Sequence, residues 1–387
     1  MANDISLTGL TEILYVARDQ VAAEPTGFSQ GVIVNGGSEG VSTGGTVTSI
    51  RTTEPTLETS YTPAMTVPDA ADITTSVESL TLNLYAGSSI PLKGEQFAQL
   101  ANTVGAEMAL QQLYAQAIRK IRNTIEAAVA DAAYKGASRA TGTAGTTPFG
   151  SNFNTINELR QILEDNGCPV DDGMLSLAIS TGAGTNLRNL GQLTKANEAA
   201  TDATLRRGEL LNVSGFSIRT SAGVKSHTKG TGTSYLVNQT GLTNGSTSVT
   251  VDTGSGTVVA GDVVTFASGT GSGFNYVVKT GIAAAGTLVL NQPGLRGNIA
   301  DNNAVTIGNN YTANVGFHRS AIELAMRPPS QPPGGDAGEE IGVLFDEKTG
   351  LTFSARLYKG YGINQIKLMT VYGVKVWKPE FVATLMG

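Results

Sequence analysis

The segment 102–135 constrains the fold more than any other part of the sequence, because its apolar residues recur with the period of an α-helix. The apolar stripe consists of Leu110, Leu113, Ala117, Ile118, Ile121, Ile125, Val129 and Ala132. The polar residues that lie largely off this stripe are Gln112, Gln116, Arg119, Arg122, Asn123 and Glu126. A helix of this length spans about 50 Å, and Gly136 is a residue type that commonly ends helices. The pattern therefore predicts a long spine helix.

Three basic residues on this segment, Arg119, Lys120 and Arg122, have two interpretations. They could contact nucleic acid, since cations clustered on one helix face bind phosphates. They could instead form a solvated helix face or an intersubunit contact. The pattern favours this second interpretation.

The composition changes near Gly223, and up to about Thr312 no helical period is present. Short β-prone runs separated by Gly, Asn, Ser and Thr replace it. These runs are Ser234–Val237, Ser248–Val251, Asp262–Phe266, Asn275–Val278, Thr287–Leu290 and Ala304–Ile307. Regular short strands with such turns predict a small antiparallel barrel or sandwich. Because the flanking patterns belong to another block, we interpret this region as an inserted domain.

Two strand patterns, Thr46–Arg51 and Val77–Tyr85, predict a long two-stranded hairpin. In the second pattern, Leu80, Leu82 and Leu84 alternate with polar or aromatic residues, which predicts one apolar face. An isolated two-stranded hairpin is only marginally stable in water. We therefore expect it to be stabilised by packing on another subunit.

The remaining patterns predict a mixed α+β block with an N-terminal helix before it. Helices are expected over Leu7–Ala23, over Thr155–Asp165 and in the segment that follows Ser180 to about Leu210, and strands over Leu175–Ser180, Phe216–Thr220 and Val371–Trp377. Pro379 closes the last of these strands because proline has no backbone donor.

Composition narrows the class of protein. The chain has 387 residues, a formal charge of −6, 48 glycines and one cysteine, Cys168. One cysteine excludes an internal disulfide and suits a reducing compartment, where a buried structural thiol is expected. The N-terminus does not have the pattern of a signal peptide, and no apolar run has the length of a membrane helix. The acidic balance gives no overall footprint for tight DNA binding.

Candidate catalytic residues are few. Gly36–Gly40 fits G-x-S-x-G around Ser38, but a nucleophile elbow needs a preceding strand and a following helix, and the glycine-rich flanks predict neither. His227 follows Ser226, although sequence neighbours are not thereby a nucleophile and its base. A structural hydrogen-bonding role is expected for His318. We therefore expect no catalytic residue and no enzyme activity.

Metal and nucleotide sites are not expected either. Two histidines and one cysteine make a zinc site improbable, and neither phosphate-loop motif is present. Acidic residues near the C-terminal region could collect calcium but lack EF-hand spacing, so a solvated loop is preferred. These acids are Asp336, Glu339, Glu340, Asp346 and Glu347. No cofactor is expected.

Several segments together resemble the major coat proteins of short-tailed double-stranded DNA phages. The strongest are the C-terminal V-Y-G-V-K-V-W-K-P-E-F-V-A-T-L-M-G of Val371–Gly387 and V-G-F-H-R-S-A-I-E-L-A-M-R-P of Val315–Pro328. Further matching segments are Ile125–Thr143, Val258–Phe266 (V-V-A-G-D-V-V-T-F) and Asn291–Leu295 (N-Q-P-G-L). The order of the predicted elements matches over nearly the whole chain.

The resemblance implies an α+β Hong Kong 97-like capsid fold with a long spine helix, an extended hairpin loop and an inserted small antiparallel β-barrel. The implied regions are an N-terminal arm at 1–40, the hairpin at 41–90, the first part of the core at 91–222, the inserted domain at 223–312 and the rest of the core at 313–387.

The implied function is self-assembly into the icosahedral shell that encloses the phage DNA. The implied partners are copies of the same chain in hexamers and pentamers, a scaffolding protein, a portal, a decoration protein, and packaged DNA through weak non-specific contact, with no membrane. The chain would reside in the virion after assembly in the host bacterial cytoplasm.

Two other functions and one chemical question remain open. Gly-, Thr- and Ser-rich strands also suit a tail or fibre protein, although the long helix argues against it, and a hydrolase using Ser38 lacks partner residues. Some relatives of the wider fold cross-link their shells through a hairpin lysine. Here the first lysine is Lys93, beyond the predicted hairpin, so noncovalent assembly is expected.

Overall fold

The computed structural model describes residues 27–37, 41–52, 63, 65, 75–95, 106–190, 212–345 and 350–387. Within these ranges the protein is a mixed α+β chain, which confirms the predicted class. The predicted helix over Leu7–Ala23 and the end of the helical segment before Leu210 lie outside them.

The helices are α1 (Ala106–Lys135), α2 (Asn154–Asp165) and α3 (Thr181–Asn189). The strands of the first half are β1 (Ile33–Gly36), β2 (Thr46–Thr52), β3 (Thr75–Thr81), β4 (Leu84–Lys93), β5 (Arg139–Gly142), β6 (Leu175–Ile179), β7 (Ser217–Thr220) and β8 (Ser226–His227). The strands of the second half are β9 (Tyr235–Val237), β10 (Ser248–Asp252), β11 (Val263–Phe266), β12 (Asn275–Thr280), β13 (Gly286–Leu290), β14 (Ala304–Ile307), β15 (Tyr311–His318), β16 (Ile322–Arg327), β17 (Gly338–Phe345), β18 (Thr352–Gly360), β19 (Ile363–Val376) and β20 (Val382–Met386).

One sheet is built around β19, which is long enough to pair with three strands. It runs β1-β16-β19-β18-β17, and β4 also pairs with β19. The inner face packs on α1: Ile90, Leu357 and Ile366 lie in register and belong to the same apolar cluster as Ile118 and Ile121. Only the last part of β19 was predicted, as Val371–Trp377.

A second sheet has β15 at its centre, paired with the C-terminal strand β20 on one side. The chain order across it is β5-β20-β15-β6-β7, with parallel pairs at both ends. One face packs on α2 and α3 through buried residues that include Leu159, Leu163 and Leu187. Helix α1 contacts β4 and β19 of the first sheet and β15 and β20 of the second, so this helix bridges both sheets.

Strands β9 to β14 form a closed antiparallel barrel. Their order is β11-β14-β9-β10-β13-β12, and an additional pairing of β11 with β12 closes the ring. The barrel has its own apolar core, which includes Val249, Val251 and Val264. All six predicted strand runs are present, because alternating apolar residues and Gly-rich turns specify each strand locally.

The chain leaves and re-enters the second sheet at adjacent positions. Strand β8, just before the barrel, pairs antiparallel with the start of β15, just after it, through His227↔Tyr311 and Ser226↔Thr312. Strand β12 also pairs with β5 through Tyr276↔Arg139. The β12–β5 pairing therefore joins the barrel to the rest of the protein, and the paired strands β8 and β15 lead the chain into and out of it.

The long helix is confirmed over its described part, but its predicted polar face is partly wrong. Arg122 and Glu126 are each only 5% exposed, whereas Leu113 on the expected apolar stripe is 40% exposed. Glu126 is buried because it accepts hydrogen bonds from Phe28 N at 2.7 Å and Ser29 N at 2.9 Å. The helix packs on a sheet along one side and on the segment around Phe28 along another. The apolar periodicity identifies only the side that faces the sheet.

The hairpin prediction is confirmed for β2 and β3, which pair in full register from Thr46↔Thr81 to Thr52↔Thr75. The prediction that one strand continues to Tyr85 is wrong. The apolar alternation stops after Leu82, and Leu84 and Tyr85 begin β4 as exposed side chains in the first sheet.

Candidate assembly surfaces

The base of the β2–β3 hairpin is fixed to the first sheet. Leu80 and Leu82 are each 1% exposed and pack with Ala325 and Val371. Lys375 donates from Nζ to the Ser79 carbonyl at 3.0 Å and lies 3.0 Å from the Glu78 carboxylate. These contacts hold the end of the hairpin where the chain leaves the body.

The outer part of the hairpin presents exposed side chains. Val77 is 67% exposed, and Thr75, Ser79 and Thr48 are exposed as well. The two strands form a sheet of their own. Because a two-stranded sheet buries little apolar area, its outer part needs a further contact to be well ordered.

Strand β17 forms an edge of the first sheet and carries an apolar row. Ile341, Val343 and Phe345 alternate along the strand at 40%, 40% and 47% exposure, while Leu344 between them is buried. An edge strand with exposed apolar side chains offers both backbone groups and apolar area to another chain. The charged pair between Glu339 and Lys359 lies at one end of this row.

A basic groove lies between α1 and the segment Thr220–Lys225. Its cavity of about 410 Å³ is lined by Arg119, Arg122, Asn123 and Glu126 of the helix and by residues of that segment. Lys120 lies on the adjoining exposed face of α1. Two of the three predicted basic residues thus line one groove, which also brings in Lys225 from a distant part of the sequence.

His227 is a buried contact at the junction of α1, β8 and the barrel. Its Nε2 lies 2.8 Å from Asp262 Oδ1 and its Nδ1 lies 3.5 Å from the Tyr134 hydroxyl. Asp262 also accepts from Gly230 N and from Val259 N at 2.8 Å. Burial, with the nearby charge of Asp131, raises the pKa of Tyr134 to about 12. Ser226 is exposed, so this strand does not bring Ser226 and His227 together.

Asn291 fixes the other side of the same junction. Its Nδ2 donates to the carbonyls of Lys135 and Ala137, both at 2.8 Å, at the C-terminal end of α1. The residues come from two segments that the sequence analysis singled out, Asp262 from Val258–Phe266 and Asn291 from Asn291–Leu295. Asn291 therefore bonds the end of the helix directly, whereas Asp262 bonds His227, whose other ring nitrogen lies near Tyr134 of the helix.

His318 has a hydrogen-bond partner at each ring nitrogen. Its Nε2 lies 2.7 Å from Asp172 Oδ2, and its Nδ1 lies 2.8 Å from Ser320 Oγ. An Asp, a His and a Ser in contact suggest a catalytic triad, but the Ser320 backbone N also donates to the same Nδ1 at 3.2 Å. His318 therefore caps the short 3-10 turn Arg319–Ala321.

Some of the remaining candidate residues lie within the described part of the chain and some lie outside it. Ser38, Asp346 and Glu347 lie outside the described residues. The expectation that no strand precedes Ser38 is wrong, since β1 ends at Gly36, two residues earlier. On the other side, the described segment from Val41 to Thr46 is a turn leading into β2 and contains no helix.

Asp336 precedes β17 and is held by hydrogen bonds, whereas Glu339 and Glu340 lie in β17 and not in the expected solvated loop. Asp336 accepts from Gly338 N at 2.9 Å, Arg356 Nη1 at 2.8 Å and the Tyr358 hydroxyl at 3.0 Å. The Gly338 hydrogen bond, together with those from Tyr358 and Arg356, lowers the pKa of Asp336. No group of metal-ligating side chains occurs in the part of the chain that the structure describes.

Cys168 and Lys93 occupy unrelated positions. Cys168 packs in the apolar cluster beneath α2, where burial raises the pKa of its thiol to about 12. Lys93 is the exposed last residue of β4 and pairs with Ile363, so it lies on the first sheet and not on β2 or β3.

Across the described residues, no helix has the length and apolar character required to cross a bilayer.

The structural roles of Glu126, Asp262 and Asn291 were not predicted from the sequence. Each side chain bonds backbone groups of another segment, and nothing in its neighbouring residues marks that distant partner. The available signal was local: Asp262 follows Gly261 at the start of a β-prone run, and Asn291 follows the last residue of another run, two positions before Pro293.

Comparison with known proteins gives no match to a protein-family model and no match to a curated protein. Solved structures give several similarities. The capsid structure of cyanophage P-SCSP1u has a TM-score of 0.49 at 12% identity, over 94% of this chain and 88% of that one. A structure from Mycobacterium phage Che8 has a TM-score of 0.48 at 15% identity, over 88% and 84%. The mature capsid of bacteriophage PhiM1 has a TM-score of 0.47 at 11% identity, over 94% and 87%.

Proposed function

We propose that this chain is the major capsid protein of a short-tailed double-stranded DNA phage, and that its function is to assemble with copies of itself into an icosahedral shell. The observation that carries the proposal is the pair of incomplete β surfaces. The β2–β3 hairpin extends beyond its anchored base, and β17 presents Ile341, Val343 and Phe345 at a sheet edge. Both surfaces become buried in an assembly of repeated subunits, where many modest contacts add up.

The proposed fold is the Hong Kong 97-like capsid fold, with α1 as the spine, β2–β3 as the extended hairpin and the barrel as an inserted domain. Support for the insertion comes from the adjacent positions at which the chain leaves β8 and returns in β15. The separate apolar core of the barrel supports it as well. The division into 1–40, 41–90, 91–222, 223–312 and 313–387 forms part of this proposal.

The proposed partners follow from the resemblance in sequence. They are hexamers and pentamers of the chain, a scaffolding protein, a portal, a decoration protein and the packaged DNA. The proposed location is the virion, after assembly in the host bacterial cytoplasm. The chain acts through interfaces and not as an enzyme, and its shell is held by noncovalent contacts.

Electron microscopy of the purified protein tests the function. Closed shells are expected, whereas tubes or fibres would assign the chain to a tail or fibre, and discrete small particles with hydrolase activity would assign it to an enzyme. Shells boiled in denaturing detergent should release one band near 39.9 kDa. A ladder of larger species would instead show covalent cross-links.

Expression of residues 223–312 alone tests the inserted domain. A closed barrel with its own core should give dispersed amide NMR signals and a cooperative melt. A random-coil spectrum would contradict the proposed domain boundary without affecting the assembly of the full chain.

A further inference from the structure

The basic groove between α1 and Thr220–Lys225 joins cations from two distant parts of the sequence. Arg119 lies exposed on the helix beside Arg122, whose side chain is only 5% exposed, and Lys225 lies on the facing segment, about 100 residues later. Lys120 continues the surface along the exposed side of α1 with Gln116, Asn123 and Thr124. A solvated helix face alone does not account for a groove that a second segment completes.

Glu126 contributes one negative charge to the groove, but its carboxylate is already occupied by hydrogen bonds within the protein. Glu126 accepts hydrogen bonds from Phe28 N, Ser29 N and Ser221 Oγ at 2.7, 2.9 and 2.8 Å, so both carboxylate oxygens serve the packing of neighbouring segments. Arg219, the third residue of β7, lies near Glu126, and its Nη1 is buried without a hydrogen-bond partner. Burial, reinforced by the charge of Arg319, lowers the pKa of Arg219. The lining of the groove therefore carries the cations Arg119, Arg122 and Lys225 against the carboxylate of Glu126, in a chain whose formal charge is −6.

The chemistry of the lining fits a phosphate chain. Guanidinium, ammonium and amide groups donate to phosphate oxygens and position a nucleic acid without reading its sequence. The lining residues include no aromatic side chain on which a base could stack, and no deep apolar pocket that could anchor a protein segment. From Gln116 to Ala127 the surface extends about 16 Å along the helix. This length covers several phosphates, which are spaced about 3.4 Å apart along one strand of a duplex.

We propose that the basic groove and the adjoining face of α1 bind the phosphate backbone of DNA, so that this face of the subunit lines the inside of the shell. The assignment of an inner face rests on the proposed capsid function. The binding itself does not require assembly.

Fluorescence anisotropy with a labelled 20-base-pair duplex, titrated with the purified full chain at several salt concentrations, tests the proposal. The variant Lys120→Ser/Lys225→Ser removes two exposed or half-exposed cations of the surface. Lys279→Ser/Lys359→Ser removes the same charge from the barrel and the first sheet, and serves as the matched control. Each phosphate contact contributes about 0.9 to the slope of log K against log salt concentration, so the first variant should lower this slope by about 1.8 and the control should leave it unchanged.

The outcomes separate the alternatives. Equal slopes for both variants would overturn the proposal, because binding would then follow net charge and not this surface. Displacement of the duplex by poly-glutamate as efficiently as by unlabelled DNA of equal charge would assign the groove to an acidic protein segment. If the chain forms shells but the groove variant binds DNA like the wild type, this inference fails while the proposed function stands. If the wild type forms no shells, the proposed function fails, and the salt slope still decides the binding.

Discussion

The barrel and the β2–β3 hairpin are both antiparallel β structures made of Thr- and Val-rich strands. They differ in how the strand edges are paired and in how far the valine side chains are buried. In the barrel, the pairing of β11 with β12 closes the ring, and Val249, Val251 and Val264 are at most 1% exposed. In the hairpin, two strands pair only with each other, and Val77 is 67% exposed. The two regions have a similar local preference for β-strands, so closure of the barrel accounts for the difference in side-chain burial.

The comparison shows where each region obtains its stability. A closed barrel has no free edge and buries its apolar residues within one chain. A hairpin buries its outer residues only when another surface covers them. We therefore expect the barrel to contribute to folding of the monomer and the outer hairpin to contribute to assembly.

The largest expected effect comes from placing the same charge in the two regions. Val264→Asp puts a carboxylate inside the barrel core, where an unpaired charge and lost packing together cost more than about 4 kcal/mol. Loss of the folded barrel should follow, measured by two-dimensional NMR and by the soluble yield.

Val77→Asp is the matched variant, since it replaces the same residue type in a β-strand at an exposed position. Its effect on monomer stability should stay within about 0.5 kcal/mol. Its effect on assembly should be large, since a buried interface would now contain a charge. A Val77→Asp monomer that unfolds as readily as the Val264→Asp monomer would remove the distinction between the two regions.

Shortening the hairpin should have the next largest effect. Replacement of residues 49–78 by an Asn-Gly turn keeps the first pairs of β2 and β3 and the buried Leu80 and Leu82, so the monomer should keep its thermal midpoint. Shell formation, followed by electron microscopy and sedimentation, should be lost. Normal shells from this variant would show that the hairpin is dispensable for assembly.

The sequence predicted the barrel better than it predicted the packing of the helix. Six short strands could be placed because each carries its own alternation and is bounded by turn residues. The buried Glu126 could not be placed, since its partners Phe28, Ser29 and Ser221 are about 95 residues away along the chain. Periodicity reports one burial face, whereas α1 is covered on more than one side.

The candidate surfaces show the same division. The hairpin was predicted from two local patterns, and the structure keeps its outer part exposed. The apolar row of β17 was not predicted, because its exposure depends on β17 lying at a sheet edge, and sheet order is set by long-range pairing. Lys225 of the basic groove was missed for the same reason.

A moderate effect is expected at the junction that couples the barrel to the spine. Asn291→Ala removes the donor to the carbonyls of Lys135 and Ala137 and leaves them buried without that bond, which costs about 1 to 3 kcal/mol. Asn298→Ala, at an exposed position of the same barrel, should change stability by less than about 0.5 kcal/mol. Urea unfolding measures both. Equal stability of the two variants would show that the Asn291 hydrogen bonds add little. The barrel would then be held mainly by the pairing of β12 with β5, the strand that follows α1.

The last prediction compares the reaction rates of two thiols, one buried in the protein and one on the outer hairpin, and it changes the structure least. Native Cys168 is buried, and its pKa of about 12 lies above the ordinary value of 9.0. At pH 8 only about 1 in 10,000 such thiols is a thiolate, so native protein should react very slowly with a disulfide reagent. Because the folded-state pKa is the higher one, the contribution of this thiol to stability is complete below pH 9 and is lost as the pH rises from about 9 to 12.

A second thiol introduced by Val77→Cys should react within seconds in the monomer, since that position is exposed. In assembled shells its reaction should slow at least tenfold, while that of Cys168 should not change. Equal reactivity of the Val77→Cys thiol in monomers and shells would place the outer hairpin outside every intersubunit contact.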